Sequence, residues 1–390
     1  MNKELKKVFD LVPCGTEKID WASYESSCLG SIFEKMASTM QNPLYHGEGD
    51  VYTHTRLCCE ALASLDEYKA LDESGKKVVF IATLLHDIGK IPCTKIIDGA
   101  LASPRHAIVG GVMSRELLWK LGLCGKIQEI QLREAISSLI KYHSFPPYAI
   151  FNDNPELKLL KVASCGELAP LFSMSKLCML EKADVLGRVN DDQNMVLDRI
   201  EYCRLLSQEN ECLDSPYKFS DDFTKRAYFK GKTSFKDDQL YNDSWGQVIL
   251  LSGLPASGKD TFISKIFPDI PVISLDEIRI ELGIKPTDKQ GKVIDLAHER
   301  AKELLRKKQQ FIWNATSLTS ILRSNQIELF ESYGASVKAI YLETDLNTLL
   351  DRNNNRKSYV PEEVIFKMLS KIELPERFEC QSVEWRENKA

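Results

Sequence analysis

The sequence predicts a multidomain fold of α and α/β classes, an all-α domain followed by a domain built on a parallel sheet. Three observations predict it. Up to about residue 213, apolar residues recur at helical spacing with no alternating strand pattern. After Tyr241, short apolar runs alternate with helical stretches, as in sheets whose strands are joined by crossover helices. At the head of that second part, Gly253-Leu254-Pro255-Ala256-Ser257-Gly258-Lys259-Asp260 stands between an apolar run and a segment able to open a helix. The 390 residues exceed one ordinary core, and the shift in pattern places domains at 1–213 and 241–390 with a connector at 214–240.

Helices of the first part are expected at 23–41, 53–71, 75–87, 107–123, 127–142, 157–171 and 175–186. In the second part strands are expected at 248–252, 271–275, 311–313 and 337–342. The strongest helix between them spans 289–308, with Ile294, Ala297, Ala301 and Leu304 on one face. The pattern implies a small parallel sheet covered on both sides by helices.

Composition narrows the function. Hydrophobic residues make up 43% and charged residues 27%, as in globular proteins. No apolar run approaches the ~20 residues a spanning helix needs, and the N-terminus lacks a signal-peptide pattern. Residence in the cytoplasm with no membrane partner is therefore expected. The eleven cysteines include no Cys-x-x-Cys pair and read as small buried apolar groups. Net charge is −5, and from Tyr241 onward 21 Lys and Arg face 22 Asp and Glu. A polynucleotide would have to be held by local basic clusters, not by bulk charge.

Strand, glycine-spaced loop and helix, in that order, suit a phosphate-binding loop. Backbone N–H groups along Gly253, Ser257 and Gly258 and at the helix start point at an anion, and Lys259 adds charge for the outer phosphates of ATP or another NTP. The Ser or Thr that ordinarily follows the lysine and binds Mg²⁺ is replaced by Asp260, whose carboxylate can serve as an oxygen ligand. Thr261 would point about 100° away and is a poorer replacement. Asp276 closes the second strand, where it can accept a proton from an attacking hydroxyl or hold Mg²⁺, and Arg279, one turn on, can grip a substrate phosphate. Arg352 and Arg356, four apart, would point the same way over a triphosphate. Asn314 ends the third strand at the same sheet edge, with Arg323 on the helix after it.

Five of the six histidines precede residue 145: His46, His54, His86, His106 and His143. His86-Asp87 ends an apolar helix, and imidazole with carboxylate suits a divalent transition metal. Further ligands must come from other helices, and His54 and Asp184 are the candidates.

Residues 46–190 resemble the HD phosphohydrolase superfamily, an all-α fold named for its metal ligands, with His54, His86, Asp87 and Asp184 in matching order. The resemblance implies two divalent ions such as Mn²⁺, Ni²⁺, Co²⁺ or Zn²⁺, with Asp87 bridging them and His106 and His143 on the second. Lys90 would touch the substrate phosphate, and His46 divides between a substrate contact and a structural role. Residues 245–375, through Gly253 to Lys259, Asp276-x-x-Arg279 and Arg352-x-x-x-Arg356, resemble the P-loop polynucleotide 5′-kinases. That resemblance makes Asp276 the general base and Lys259 and Arg352 catalytic, with ATP and Mg²⁺ as cofactors; Arg279, Arg323 and Asn314 are then substrate contacts.

Along nearly its full length the chain resembles the HD-domain polynucleotide kinase fusions of nucleic-acid end healing. The family implies phosphorylation of 5′-hydroxyl ends and removal of 2′,3′-cyclic, 2′- or 3′-phosphates from RNA or DNA, in functional partnership with a nucleic-acid ligase. A homodimer is left open. Two alternatives stand beside it: a nucleotide phosphohydrolase fused to a small-metabolite or nucleoside kinase, and an ATP-binding switch without transfer activity.

Overall fold

The computed structural model describes residues 1–15, 18–190, 192–356 and 359–388. It divides into two units, Met1–Cys124 with Gln128–Tyr217, and Gly125–Ile127 with Lys218–Ala390.

The first unit is organised around the helix Glu73–Leu85. Asp72 caps its start, accepting the Gly75 N–H at 2.8 Å. Every residue from Val78 to Leu85 is fully buried, so this helix is apolar on all sides and belongs in the middle of the bundle. Burial of each Val, Leu, Ile or Phe contributes about 1.5–3 kcal/mol. The helices Val51–Ser64 and Met174–Leu186 pack against it and against each other. The helix Ile127–Tyr142 has the expected bounds.

Three expected helices are broken, the one at 157–171 into Pro155–Ala163 and the 3₁₀ turn Ser164–Glu167. The span 23–41 divides into Trp21–Glu25 and Gly30–Ala37. The Ser27 hydroxyl donates to Tyr24 O at 2.6 Å and accepts the Leu29 N–H at 3.2 Å, bonds that replace the helical ladder. At Gly30 a Cβ would lie 2.2 Å from Glu25 O, so the chain can re-enter the helix there only as glycine. The span 53–71 breaks at Leu65, whose backbone is extended.

The first unit also holds a hairpin that the helical reading missed, β1 (Lys95–Ile97) against β2 (Ala100–Ala102). Its two-residue turn, Asp98-Gly99, has φ of 51° and 82°, the pair of positive values that a tight hairpin turn requires.

The second unit is a five-stranded parallel sheet: β3 (Gln247–Ser252), β4 (Val272–Ser274), β5 (Ile312–Asn314), β6 (Ser336–Glu343) and β7 (Ser382–Glu387). The spatial order is β4-β5-β3-β6-β7, every pair parallel. Val248 to Leu251 in the central strand are at most 2% exposed, as expected of a strand covered on both faces. One core cluster joins Ile249, Leu251, Ile312, Ile340 and Leu342 to Phe262 and Ile263 of the helix Lys259–Ile266. The chain leaves β3 for one edge and returns to the other side at β6, so the crevice beyond the carboxyl end of β3 is the switch point where open sheets of this kind bind ligands.

Three expectations need correction. A fifth strand, β7, was not foreseen, although its buried Val383 and Trp385 alternate with less buried neighbours. The helix Gly291–Arg306 buries Val293, Ala297, Ala301 and Leu305, while Ile294 is 39% exposed, so the stripe passes through Val293 and Leu305 instead of Ile294 and Leu304. Most of the stretch read as a connector packs within the second unit. Its helix Asp222–Phe229 carries Arg226, which binds Glu331 at 2.8 and 3.1 Å and Phe378 O at 2.7 Å.

Arg323, expected to meet substrate, is fully buried. It makes paired bonds of 2.7 Å to the Glu379 carboxylate and donates to Ser317 O at 3.1 Å and Glu373 O at 2.6 Å. All of its donors point into the fold, so it is a strut and not a substrate contact. Removing it takes the paired charged bonds from the Glu379 carboxylate and one donor from each of the Ser317 and Glu373 carbonyls. Arg323→Ala is expected to cost about 3–5 kcal/mol in urea unfolding. An unchanged midpoint combined with weaker substrate binding would return Arg323 to the site.

Candidate active sites

In the first unit the central helix ends where its chemistry begins. His86 and Asp87 follow Leu85 directly, and the flanking helices add His54 and Asp184. All four are at most 3% exposed. His54 Nε2 lies 2.8 Å from Asp184 Oδ1, and His86 Nε2 is 3.3 Å from Asp87 Oδ2 and 3.7 Å from Asp184 Oδ1. His106 Nε2 is 3.4 Å and His143 Nε2 4.0 Å from the other Asp87 oxygen, Oδ1, and the two rings approach each other to 3.2 Å. Asp87 therefore stands between two groups, His54, His86 and Asp184 on one side and His106 with His143 on the other.

The far nitrogens of three rings are fixed by backbone carbonyls, His86 Nδ1 by Thr83 O at 2.7 Å, His106 Nδ1 by Ser103 O at 2.9 Å and His143 Nδ1 by Ile140 O at 2.8 Å. With Nδ1–H donating, each Nε2 turns inward, where its lone pair, once free of a proton, can bind metal. His54 Nδ1 is held instead by Glu48 at 2.8 Å, and Glu48 also binds His46 Nδ1 at 2.8 Å. His46 thus lies outside the Asp87 group, on the far side of that carboxylate.

A divalent ion fits this donor set. His86 Nε2 and both Asp87 oxygens are buried and accept or donate no hydrogen bond. The Lys90 ammonium, 2.7 Å from Asp87 Oδ2 and 2.6 Å from Gln41 Oε1, supplies charge to Asp87 without a directed bond. Among the described residues, three groups of ligand atoms lie close enough to share an ion: His54, Cys58, His86 and Asp184; Asp87, His106 and His143; and His46, Glu48 and His54. Burial opposes charge on Asp87, but Lys90 and His86 outweigh it and hold the carboxyl well below the usual range. Burial likewise opposes charge on His86, yet Asp87 and Asp184 push its pKa up to about 10. His143 goes the other way, down to about 3, through burial and the neighbouring His106 and His86.

Sequence reasoning missed four residues here. Glu48 orients His54. Arg188 binds both oxygens of Asp184, and its position one turn after Asp184 on the same stretch was a readable signal. Glu181 is buried with Oε2 unpartnered, and burial beside Asp184 raises its pKa well above the usual range. Cys58 Sγ sits 3.4 Å from His54 Nε2 and 3.7 Å from its Nδ1, over the ring and not along the lone pair.

In the second unit the loop after β3 is shaped by its glycines. Gly253 has φ of 150° and a Cβ there would lie 2.5 Å from Leu342 O; Gly258 has φ of 86° and a Cβ there would lie 2.2 Å from Asn388 Nδ2. The Lys259 ammonium folds onto Gly253 O and Leu254 O, 3.0 Å from each. Burial lowers its pKa to about 8 against the pull of Asp260 and Asp276. Ser257 Oγ and Arg352 Nη1 are buried without hydrogen-bond partners. A phosphate group fits a loop that presents a lysine and unpartnered donors together.

Asn388, directly after β7, donates to Ser257 O at 2.8 Å and Gly258 O at 3.0 Å and braces the loop. Nothing in the sequence marked it. Asp276 begins the helix Leu275–Leu282 with a side chain 68% exposed, paired with Arg279 and 3.9 Å from Arg356. Arg279 Nε also donates to Gln290 Oε1 at 2.7 Å. Arg352 and Arg356 therefore separate, one beside the loop at Gly258 and the other beside Asp276. Asn314 closes β5 and donates to Asp260 Oδ1 at 2.7 Å. Thr261 is exposed on the first turn of the helix.

Two predictions follow from these contacts. Glu48→Gln is expected to weaken divalent-metal affinity about 10–100-fold, measured by metal titration, because it loosens His54 without removing a ligand. For the loop, ATP prefers a charged Lys259. Below pH 8 the ammonium is already charged, and above it binding must draw in a proton, so ATP affinity is expected to fall as pH rises through about 8. Calorimetry in buffers of different ionisation enthalpy reads that proton uptake; none at pH 9 would refute the shift.

Comparison with known proteins agrees with the two units. A family model described as an HD domain matches residues 51–165, and one described as an AAA domain matches residues 248–375. An L-seryl-tRNA(Sec) kinase of Methanococcus maripaludis is 30% identical over 136 residues, covering 33% of this chain and 53% of that protein. The chain thus spans about half the length of this relative. Among solved structures, a gluconokinase from Sinorhizobium meliloti 1021 aligns with 36% of this chain and 82% of its own, at 20% identity and a TM-score of 0.27. The chain carries an HD domain followed by an AAA-type, P-loop kinase-like domain.

Proposed function

We propose that this chain heals nucleic-acid ends. Its P-loop unit phosphorylates a 5′-hydroxyl with ATP, and its HD unit removes 2′,3′-cyclic, 2′- or 3′-phosphates, so that a nucleic-acid ligase can join the ends. The observation that carries the reading is the setting of Asp276. It is an open carboxylate at a strand end, with Arg279 beside it and Arg356 at 3.9 Å. An exposed base flanked by two guanidinium groups suits a large acceptor that brings its own phosphate.

In this reading Asp276 takes the proton of the acceptor hydroxyl as that oxygen attacks the γ-phosphorus and ADP departs. Lys259, Arg352 and Arg356 meet the phosphate charge, and Arg279 turns from Asp276 to the neighbouring phosphate of the acceptor. In the HD unit His54, His86, Asp87, Asp184, His106 and His143 would hold divalent ions, and Lys90, once a cation takes over at Asp87, would meet the approaching phosphate. Bound cations supply Lewis acidity at both sites.

The resemblance to a kinase whose name places its hydroxyl on a seryl-tRNA supports an RNA-borne acceptor over a free metabolite. The same likeness favours a second reading, in which the acceptor hydroxyl belongs to an aminoacyl group on tRNA.

The test is an oligonucleotide with a 5′-hydroxyl and a 2′,3′-cyclic phosphate, incubated with ATP, with both product ends read. The expected product has a 5′-phosphate and a free 3′ end. Asp276→Ala is expected to slow 5′ phosphorylation about 10²–10⁴-fold, and Asp87→Ala to stop release of the 3′-phosphate with kinase activity intact. Preference for a free nucleoside or for seryl-tRNA over the oligonucleotide would overturn the proposal.

A further inference from the structure

In P-loop phosphotransferases, Mg²⁺ is held by the Ser or Thr that follows the loop lysine and by an Asp from the strand beside the loop. Neither residue is in its usual place here. The position after Lys259 is Asp260, and the strand beside the loop, β5, ends in Asn314, level with Leu251 of β3. The two are joined: Asn314, 7% exposed, donates from Nδ2 to Asp260 Oδ1 at 2.7 Å. The usual pair is one neutral group on the loop and one carboxylate on the strand. This pair has the same chemistry with the positions exchanged.

We propose that Asp260 and Asn314 form a transposed Mg²⁺ cradle, in which the loop supplies the carboxylate and the strand supplies the hydrogen-bond donor that orients it. The inference rests on the P-loop unit binding ATP and is independent of which acceptor is phosphorylated. An ionised carboxylate offers about four lone-pair sites, so the single bond from Asn314 leaves Asp260 able to ligate a cation. Asn314 cannot be a charged ligand, and Thr261 has no link to β5. The competing explanation is that Asp260 only complements the positive end of the helix Lys259–Ile266. That role requires no partner from β5 and does not explain why the buried residue there is an amide and not a carboxylate.

Exchange is tested by exchanging back. Asp260→Ser leaves a site with no carboxylate. Asn314→Asp places two carboxylates side by side. The double variant Asp260→Ser/Asn314→Asp restores one carboxylate and one donor in the usual positions. With the full chain, the Mn²⁺ bound only on addition of a non-hydrolysable ATP analogue, which leaves out ions held by the HD unit, is followed by electron paramagnetic resonance, and analogue binding without divalent ion is followed by calorimetry. Asp260→Ser is expected to weaken that Mn²⁺ binding at least about tenfold, and the double variant to recover most of the loss. Analogue binding without metal reports that a variant is folded. If the double variant fails that control, Asp260→Asn, which keeps the shape and removes the charge, decides, with the same loss expected.

Unchanged Mn²⁺ affinity in Asp260→Ser or Asp260→Asn would overturn the cradle, as would a folded double variant weaker than both singles. A parent chain that binds Mn²⁺ with the analogue yet phosphorylates no oligonucleotide would leave the cradle standing and refute end healing.

Discussion

A carboxylate buried with neither oxygen hydrogen-bonded is the constraint on which the first unit depends. Asp87 is 1% exposed and both of its oxygens lack directed partners. Each unsatisfied buried polar atom costs about 1–3 kcal/mol, more when charged. The fold tolerates this because Asp87 follows a helix that is fully buried from Val78 to Leu85, where packing offsets the cost. The same helix then sets everything near it. His86 adjoins Asp87 in sequence, while the Val51–Ser64 and Met174–Leu186 helices deliver His54 and Asp184 because they pack on its sides. The outward nitrogens of His86, His106 and His143 are tied to carbonyls, so their inward nitrogens have no alternative partner to turn to.

The second unit meets the constraint with the opposite charge. At the loop Ser257 Oγ and Arg352 Nη1 are buried and unpartnered, and both can donate. The sheet order makes the loop after β3 the switch point, and the glycines allow its backbone to lie against Leu342 O and the Asn388 amide. Lys259 rests on two loop carbonyls rather than on a carboxylate. It is thus held by weak neutral acceptors that an anionic phosphate can replace without breaking an ion pair.

Much of this was legible from local pattern. The helix Ile127–Tyr142, the strands β3 to β6 and the order His54, His86-Asp87, Asp184 could be read because each depends on residues near one another in the chain. Residues defined by distant partners could not. Arg323 read as a substrate contact, whereas Glu373 and Glu379, 50 and 56 positions away, enclose it. Asn388 reaches the loop across 130 positions, and Glu48 is tied to the site only through its contact with the His54 ring. The hairpin β1–β2 was written in Asp98-Gly99, but a helical background hid strands of three residues. The Arg352 and Arg356 spacing was read properly as one turn; the helix Leu346–Asn355 ends between them, so they part company.

The two units therefore approach phosphate from opposite sides of electroneutrality. Around His54 and His86 stand Asp87, Asp184 and Glu48, with Lys90 and Arg188 already engaged on Asp87 and Asp184. A phosphoester entering that group meets fixed negative charge, so divalent cations are a condition of binding there and not only of turnover. The loop unit presents Lys259 and Arg352 with unfilled capacity, and phosphate can bind it directly. A metal there has a narrower role, to order the outer phosphates, and a single carboxylate suffices. The bond between Asn314 and Asp260 then matters for where that carboxylate points, since Asp260 is exposed and would otherwise sample many rotamers.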